Sequence, residues 1–239
     1  HPRLQAEQLA KRVAMRAVPR EDLERVYGKL WGAGALQGSL AGSADEGTVL
    51  LEGRDVTALG VAERARRGLG RSYQITQFCA PFTALENVAL AAMARQGSPF
   101  RLWRPLRRER QVIDQAMQAL ETVGLADKAD LVAGVMAHGE HRQLELAMAL
   151  ALQPRLLLLD EPLAGMSGSE SEAMIALLSR LRGQYPMLLV EHDMGAVFAL
   201  SDRISVLVYG QVLATGTPEA IRANPEVRAA YLGDEELEA

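Results

Sequence analysis

The segment Leu156-Leu-Leu-Leu-Asp160-Glu161-Pro162, preceded by Met136-Ala-His-Gly-Glu-His-Arg-Gln-Leu-Glu145, decides the reading of this chain. Four successive leucines read as a buried strand, and its tip delivers two adjacent carboxylates. Such a tip suits a metal–phosphate site, where the first carboxylate can hold Mg2+ and the second can polarise a water. Upstream, a Gly-centred turn opens an Ala/Leu-rich helix that stops before Pro154. Taken alone, the strand could equally be core structure ending in two solvated acids. Glu191-His192-Asp193 tips the balance, because it follows a second apolar run, Met187–Val190, and His192 lies 32 residues after Asp160. That spacing fits one strand–helix–strand crossover. Ligands of parallel α/β sheets gather at the carboxyl ends of strands, so His192 is expected near Glu161 as a phosphate sensor. A loop of the form G-x-x-x-x-G-K-[ST] should cradle the phosphates of such a site, and no window of the sequence matches it.

Composition narrows the class. The chain has 239 residues, 49% of them apolar, enough for one large or two small domains with a real core. Its net charge of −4 argues against a general nucleic-acid binder. Cys79 stands alone, so an internal disulfide is excluded and a reducing cytosolic setting fits. The apolar runs around the motifs fall far short of the roughly 18–20 residues of a membrane span. No signal peptide opens the sequence, and His1 without a Met suggests a processed or artificial terminus.

Along the chain, residues 3–17 follow neither the helical nor the strand period. Leu23, Val26, Tyr27, Leu30 and Trp31 predict an amphipathic helix over 20–31, and the Gly/Ser/Ala-rich residues 32–47 a loop. A short strand is expected at 48–51, a turn at 53–55 and an Arg-rich helix at 61–68. From about 82 to 135 the reading is helical. One helix covers 86–94, with Thr83 and Glu86 at capping-box spacing. Another covers 108–123, ended by Gly124. A third helix runs over 142–152. Strands follow at 156–159, 187–190 and 204–209, with a helix over 170–183 between the first two. Strand–helix–strand order predicts a parallel α/β sheet. Two short helices, over 218–223 and 225–232, and an acidic tail close the chain. The basic cluster 101–110, with Trp103 inside it, reads as a solvated helical surface or as a contact with membrane-subunit loops or anionic head groups.

Gln74 in Arg71-Ser-Tyr-Gln-Ile-Thr76, Met136–Glu140, Leu156–Glu161 and Val190-Glu-His-Asp-Met194 stand in the order and spacing of ATP-binding cassette transporter ATPases, and the chain resembles that family from Gly47 to Leu232. Gln74 resembles the Q-loop glutamine and Ala137-His138-Gly139-Glu140 the signature motif. Asp160-Glu161 resembles the Walker B pair, Leu163–Ser167 the D-loop and His192 the H-loop histidine. The segments 52–57 and 209–218 look like the subgroup serving branched-chain amino acid or urea importers. The resemblance implies a RecA-like, P-loop NTPase-type α/β core with a mostly parallel sheet, from residues 1–75 and 150–215. It also implies a helical subdomain inserted at 76–149 and C-terminal helices with an acidic tail at 216–239. It implies ATP and Mg2+ as cofactors. Glu161 and His192 would be catalytic, Asp160 and Gln74 would hold the metal, and Ala137, His138, Gly139 and Glu140 would clamp the nucleotide held by the other subunit of a dimer. Partners would be that homologous ATPase subunit, transmembrane permease subunits and, indirectly, a solute-binding protein. The expected place is cytoplasmic, peripheral on the inner face of the cell membrane.

Two departures accompany the resemblance. Ala137 stands where the signature usually has a serine. The best remnant of a phosphate loop is Gly32-Ala-Gly34, followed by Ala35-Leu36 where Lys and Ser/Thr belong; an alignment through Gly28-Lys29 fails at two places as well. A catalytically impaired subunit acting as a non-hydrolysing interaction partner is therefore the alternative reading. A cassette ATPase of translation or DNA repair is disfavoured, since those usually carry tandem cassettes or long insertions.

Overall fold

The computed structural model describes residues 49–71, 78–95, 109–208 and 211–232, and the backbone of 11–17. The expected helix at 20–31, the loop at 32–47, Gly32, Gly34, Gln74, residues 101–108 of the basic cluster and the acidic tail lie outside the described residues. In chain order the elements begin with β1 (Lys11–Ala17), β2 (Leu50–Leu51), β3 (Arg54–Asp55), α1 (Val61–Arg66), β4 (Leu69–Arg71), α2 (Ala84–Arg95) and α3 (Arg110–Val123). They continue with α4 (His138–Ala151), β5 (Leu156–Asp160), α5 (Gly168–Arg182), β6 (Met187–Glu191) and α6 (Met194–Leu200). The last are β7 (Arg203–Val208), β8 (Gln211–Gly216), α7 (Pro218–Ala223) and α8 (Pro225–Val227), the last continuing into a wider helical turn over Arg228–Leu232. The chain divides into two compact units, residues 62–185 and the remainder.

In the unit of residues 62–185, β4 and β5 pair in parallel, Leu69 opposite Leu156 and Arg71 opposite Leu158. Gly70 permits this closeness, because a Cβ there would meet Pro154 at 2.7 Å. Helices α2, α3 and α4 pack on one another through Val88, Ala92, Val112, Ala116, Leu120 and Leu144, all buried. Their ends are tied by side-chain amides. Gln115 donates to the Ala151 carbonyl and Gln143 donates to the Val123 carbonyl, answering acceptors that a helix C-terminus leaves open. The Thr83/Glu86 capping box is present: Thr83 N–H donates to Glu86 Oε2 at 2.9 Å and Glu86 N–H to Thr83 Oγ1 at 3.1 Å. Gly124 ends α3 in the left-handed conformation with φ 81°.

In the other unit, β1 lies between β6 and β7 and runs antiparallel to both. The strands over 187–191 and 203–208 therefore point the same way, but a third strand separates them. β8 pairs antiparallel with β7. β2 and β3 form a hairpin whose turn is Glu52-Gly53, both at positive φ; the turn expected at 53–55 thus sits one residue earlier, and Arg54-Asp55 is strand. Thr57 closes that hairpin by accepting from Val49 N–H at 2.7 Å. Tyr231 secures the C-terminal turn by donating its hydroxyl to the Leu207 carbonyl, and burial pushes its pKa up to about 12.

Candidate functional site

The end of β5 places Asp160 and Glu161 differently. Asp160 is the last strand residue and is buried. Glu161 follows at φ 48°, a left-handed conformation that non-glycine residues seldom adopt and that strains the chain by about 1–3 kcal/mol. Glu161 itself is half-buried. One carboxylate is thus buried at the end of a core strand and the next is half-buried just beyond it. Hard oxygen donors of this kind fit Mg2+, which needs only one or two protein carboxylates and otherwise keeps water or phosphate oxygens. Among the described residues, no three His, Cys, Asp or Glu side chains converge.

The signature segment is the first turn of α4. The helix starts at His138, four residues before the expected start at Arg142, so Gly139 lies inside the first turn. Ala137 is the N-cap and has no side-chain oxygen to give. Half of a capping box survives: Ala137 N–H donates to Glu140 Oε2 at 2.9 Å. The other oxygen of Glu140 takes the Lys128 ammonium. That ion pair first, and the Ala137 amide second, hold the Glu140 carboxyl below its ordinary value of 4.5. Glu140 is therefore engaged within the unit, whereas His138 is exposed. Deeper in the same helix, Arg142 and Glu145 form a buried ion pair at 3.1 Å. They border a void of about 10 Å3 with Leu159 and Met174, room for one water at most.

The loop after Glu161 comes back to this turn. His138 Nε2 lies 3.3 Å from the Ala164 carbonyl. Gly165 has φ +77°, and a Cβ there would approach His138 Nε2 to 3.0 Å, so glycine is required twice over. Ser167 then opens α5, and Glu170 accepts from both its N–H at 2.9 Å and its hydroxyl at 2.7 Å. The other oxygen of Glu170 accepts the Gly139 N–H at 3.3 Å. Those bonds, Ser167's ahead of Gly139's, hold the Glu170 carboxyl below its ordinary value. Sequence reasoning did not single out Glu170; the signal was the Ser167-x-x-Glu170 spacing, a second capping box.

His192 belongs to the other unit, just after β6. Its side chain is 62% exposed, while that of Glu191 beneath it is 1% exposed. Glu191 Oε2 accepts the His192 N–H at 3.0 Å and lies 3.7 Å from His192 Nδ1. Asp193 caps α6 by accepting from Ala196 N–H at 3.0 Å. His192 is thus held at its backbone, with most of its side chain exposed. Of the expected site residues, Ala137, His138, Gly139 and Glu140 are brought beside the loop that leaves Asp160-Glu161. Gln74, Gly32 and Gly34 fall outside the described residues.

The ABC transporter family model matches residues 33–164, and that of the branched-chain amino acid ATP-binding cassette transporter matches residues 211–236. The chain is 38% identical over 195 residues to the high-affinity branched-chain amino acid transport ATP-binding protein BraF of Pseudomonas aeruginosa, across 79% of this chain and 76% of that protein. It is 37% identical over 197 residues to the corresponding LivG of Escherichia coli K12, with the same shares covered. Among solved structures, MJ1267, an ATP-binding cassette of an ABC transporter, superimposes with a TM-score of 0.73 at 27% identity, over 84% of each chain. Matched by the family model over more than half its length and by these relatives over most of it, the chain belongs to the ATP-binding cassette ATPases of ABC transporters, in the group of the branched-chain amino acid transport ATP-binding proteins.

Proposed function

We propose that this chain binds ATP with Mg2+ and hydrolyses it as one half of a dimer, driving import of branched-chain amino acids or a related small polar solute. The observation that carries the reading is the end of β5, where buried Asp160 and half-buried Glu161 lead into the loop that packs on the signature turn. Asp160 and Gln74 would hold Mg2+, which when bound neutralises charge on the phosphates. Glu161 takes the proton of the attacking water, and a positioned base of this kind contributes about 10²–10⁴-fold. His192 meets the γ-phosphate. Ala137, His138 and Gly139 clamp the nucleotide of the opposite subunit, the helix N-terminus favouring its charge, while Gly32 and Gly34 flank the phosphates of the chain's own. In this reading residues 1–75 and 150–215 form the nucleotide-binding core, 76–149 the helical subdomain and 216–239 the C-terminal segment.

Permease subunits hold the chain at the inner face of the membrane, and a solute-binding protein acts through them. Phe82, Leu131, Val132 and Val135 support a partner on the helical part, since all four are exposed apolar side chains. They are clamped together by Ala133 N–H to Phe82 O at 2.8 Å and Ala84 N–H to Leu131 O at 2.9 Å. The test is Mg-ATP turnover by the full chain assembled with its membrane subunits. Turnover should fall at least about 10²-fold in Glu161→Gln, and an unchanged rate in that variant would remove Glu161 from the reaction.

A further inference from the structure

We infer that Glu170 is a positioning residue for ATP turnover: it ties the Gly139 amide to the loop that follows Glu161, so that signature turn and loop respond to nucleotide as one piece. The inference rests on the proposed function for its consequence and on geometry for its existence. Gly139 is the second residue of α4 and Glu170 the third of α5, so one carboxylate serves the open N–H groups of two helix starts. Its Oε2 is pinned by the Ser167 N–H and hydroxyl, and its Oε1 receives the Gly139 N–H. Ala137, lacking a hydroxyl, cannot cap its own helix at this point. Glu170 supplies the missing acceptor from 31 residues further along the chain. His138 adds a second strut to the same loop through the Ala164 carbonyl.

The tie also explains a glycine. Gly139 has no left-handed backbone, and alanine is the better helix former, so conformation alone would favour alanine. A Cβ at Gly139 would stand 2.7 Å from Glu170 Oε1. The carboxylate is held on its other oxygen by Ser167, so its retreat from a Cβ would pull against those bonds. Gly139→Ala should therefore destabilise the wild-type chain and turn mildly stabilising once Glu170 is shortened. A glycine kept solely for the approach of a phosphate from outside would show no such reversal.

Two measurements on the full chain decide the matter. In nucleotide-free thermal unfolding, Gly139→Ala should lower Tm by about 2–4 °C in the wild type and raise it slightly in a Glu170→Ala background. Equal shifts in both backgrounds overturn the tie. In Mg-ATP turnover with the membrane subunits, Glu170→Ala should lower kcat about tenfold with KM within about twofold, as expected of lost alignment. Glu170→Gln, which keeps one acceptor oxygen, should recover part of the loss. A kcat within twofold of wild type, or a loss seen only in KM, overturns the positioning role. A wild-type chain without turnover sinks the proposed function instead, and the thermal cycle then decides the inference alone: reversal upholds the tie and additivity overturns it.

Discussion

Arg142 and Glu145 sit one turn beyond the signature as an ion pair, at 8% and 7% exposure. A buried pair of this kind need not stabilise the fold, because desolvation offsets attraction, but removing one partner takes that attraction from a group that stays buried. Arg142→Met should therefore cost about 3–5 kcal/mol, whereas Arg142→Met with Glu145→Leu should cost much less; urea unfolding of the three chains checks this, and equal losses in single and double variants would contradict it. Glu140 works at the surface by a different rule. Its carboxyl titrates below 4.5 in the folded chain because Lys128 and the Ala137 amide favour the anion. The folded state therefore binds that proton less readily than the unfolded one. The stabilisation is full above about pH 4.5 and is lost as pH falls through the lowered folded value. Lys128→Met should be less stable than wild type at pH 7, with the gap closing in acid. A gap that does not narrow as the pH falls would mean that Lys128 contributes through packing of its stem alone.

Asn87, in the second turn of α2, shows how one buried side chain sets the path of a loop. Its Oδ1 accepts from Cys79 N–H at 2.7 Å, and its Nδ2 donates to the carbonyls of Cys79 at 3.1 Å and Thr83 at 2.9 Å. Only an amide can donate and accept toward the same residue in this way. Asn87→Asp keeps the shape but sets a carboxylate against carbonyl oxygens, so it should cost about 1–3 kcal/mol or more and loosen residues 79–83 to hydrogen exchange. Unchanged protection there would show that the backbone holds the loop without Asn87. Legibility at this scale followed the strength of local signals. The Thr83/Glu86 box, Gly124 and the leucine strand were readable because each is a local pattern with one structural meaning. β1 was not, since Lys11-Arg-Val-Ala-Met-Arg-Ala17 has no sustained apolar alternation and is strand because β6 and β7 flank it. The start of α4 was misplaced because Gly139 reads as a breaker, whereas the Glu140 carboxylate on Ala137 carries the helix past it. α6 escaped notice because it is seven residues long, although its cap, Asp193, was in view.

For the whole molecule the open question is what grips the phosphates. A phosphate loop does so with backbone N–H groups, one lysine and a hydroxyl that helps hold the metal. The sequence has three lysines, Lys11, Lys29 and Lys128, and the last is already paired with Glu140. The family match begins at Ala33, inside Gly32-Ala-Gly34, and an alignment through those glycines would put Ala35-Leu36 in the places of lysine and hydroxyl. Neither side chain can supply the charge or the oxygen. Losing the charge partner of a desolvated ionic contact costs about 2–5 kcal/mol, or roughly 30- to several-thousand-fold in affinity. Asp160 and Glu161 would meet the nucleotide with less positive charge to offset their own. The isolated chain is thus expected to bind Mg-ATP weakly and to turn it over little. Ala35→Lys with Leu36→Thr should tighten binding by at least about 30-fold in calorimetric titration and raise turnover that Glu161→Gln again removes. Micromolar binding by the unaltered chain, with turnover lost on Glu161→Gln, would show that the altered loop is no defect.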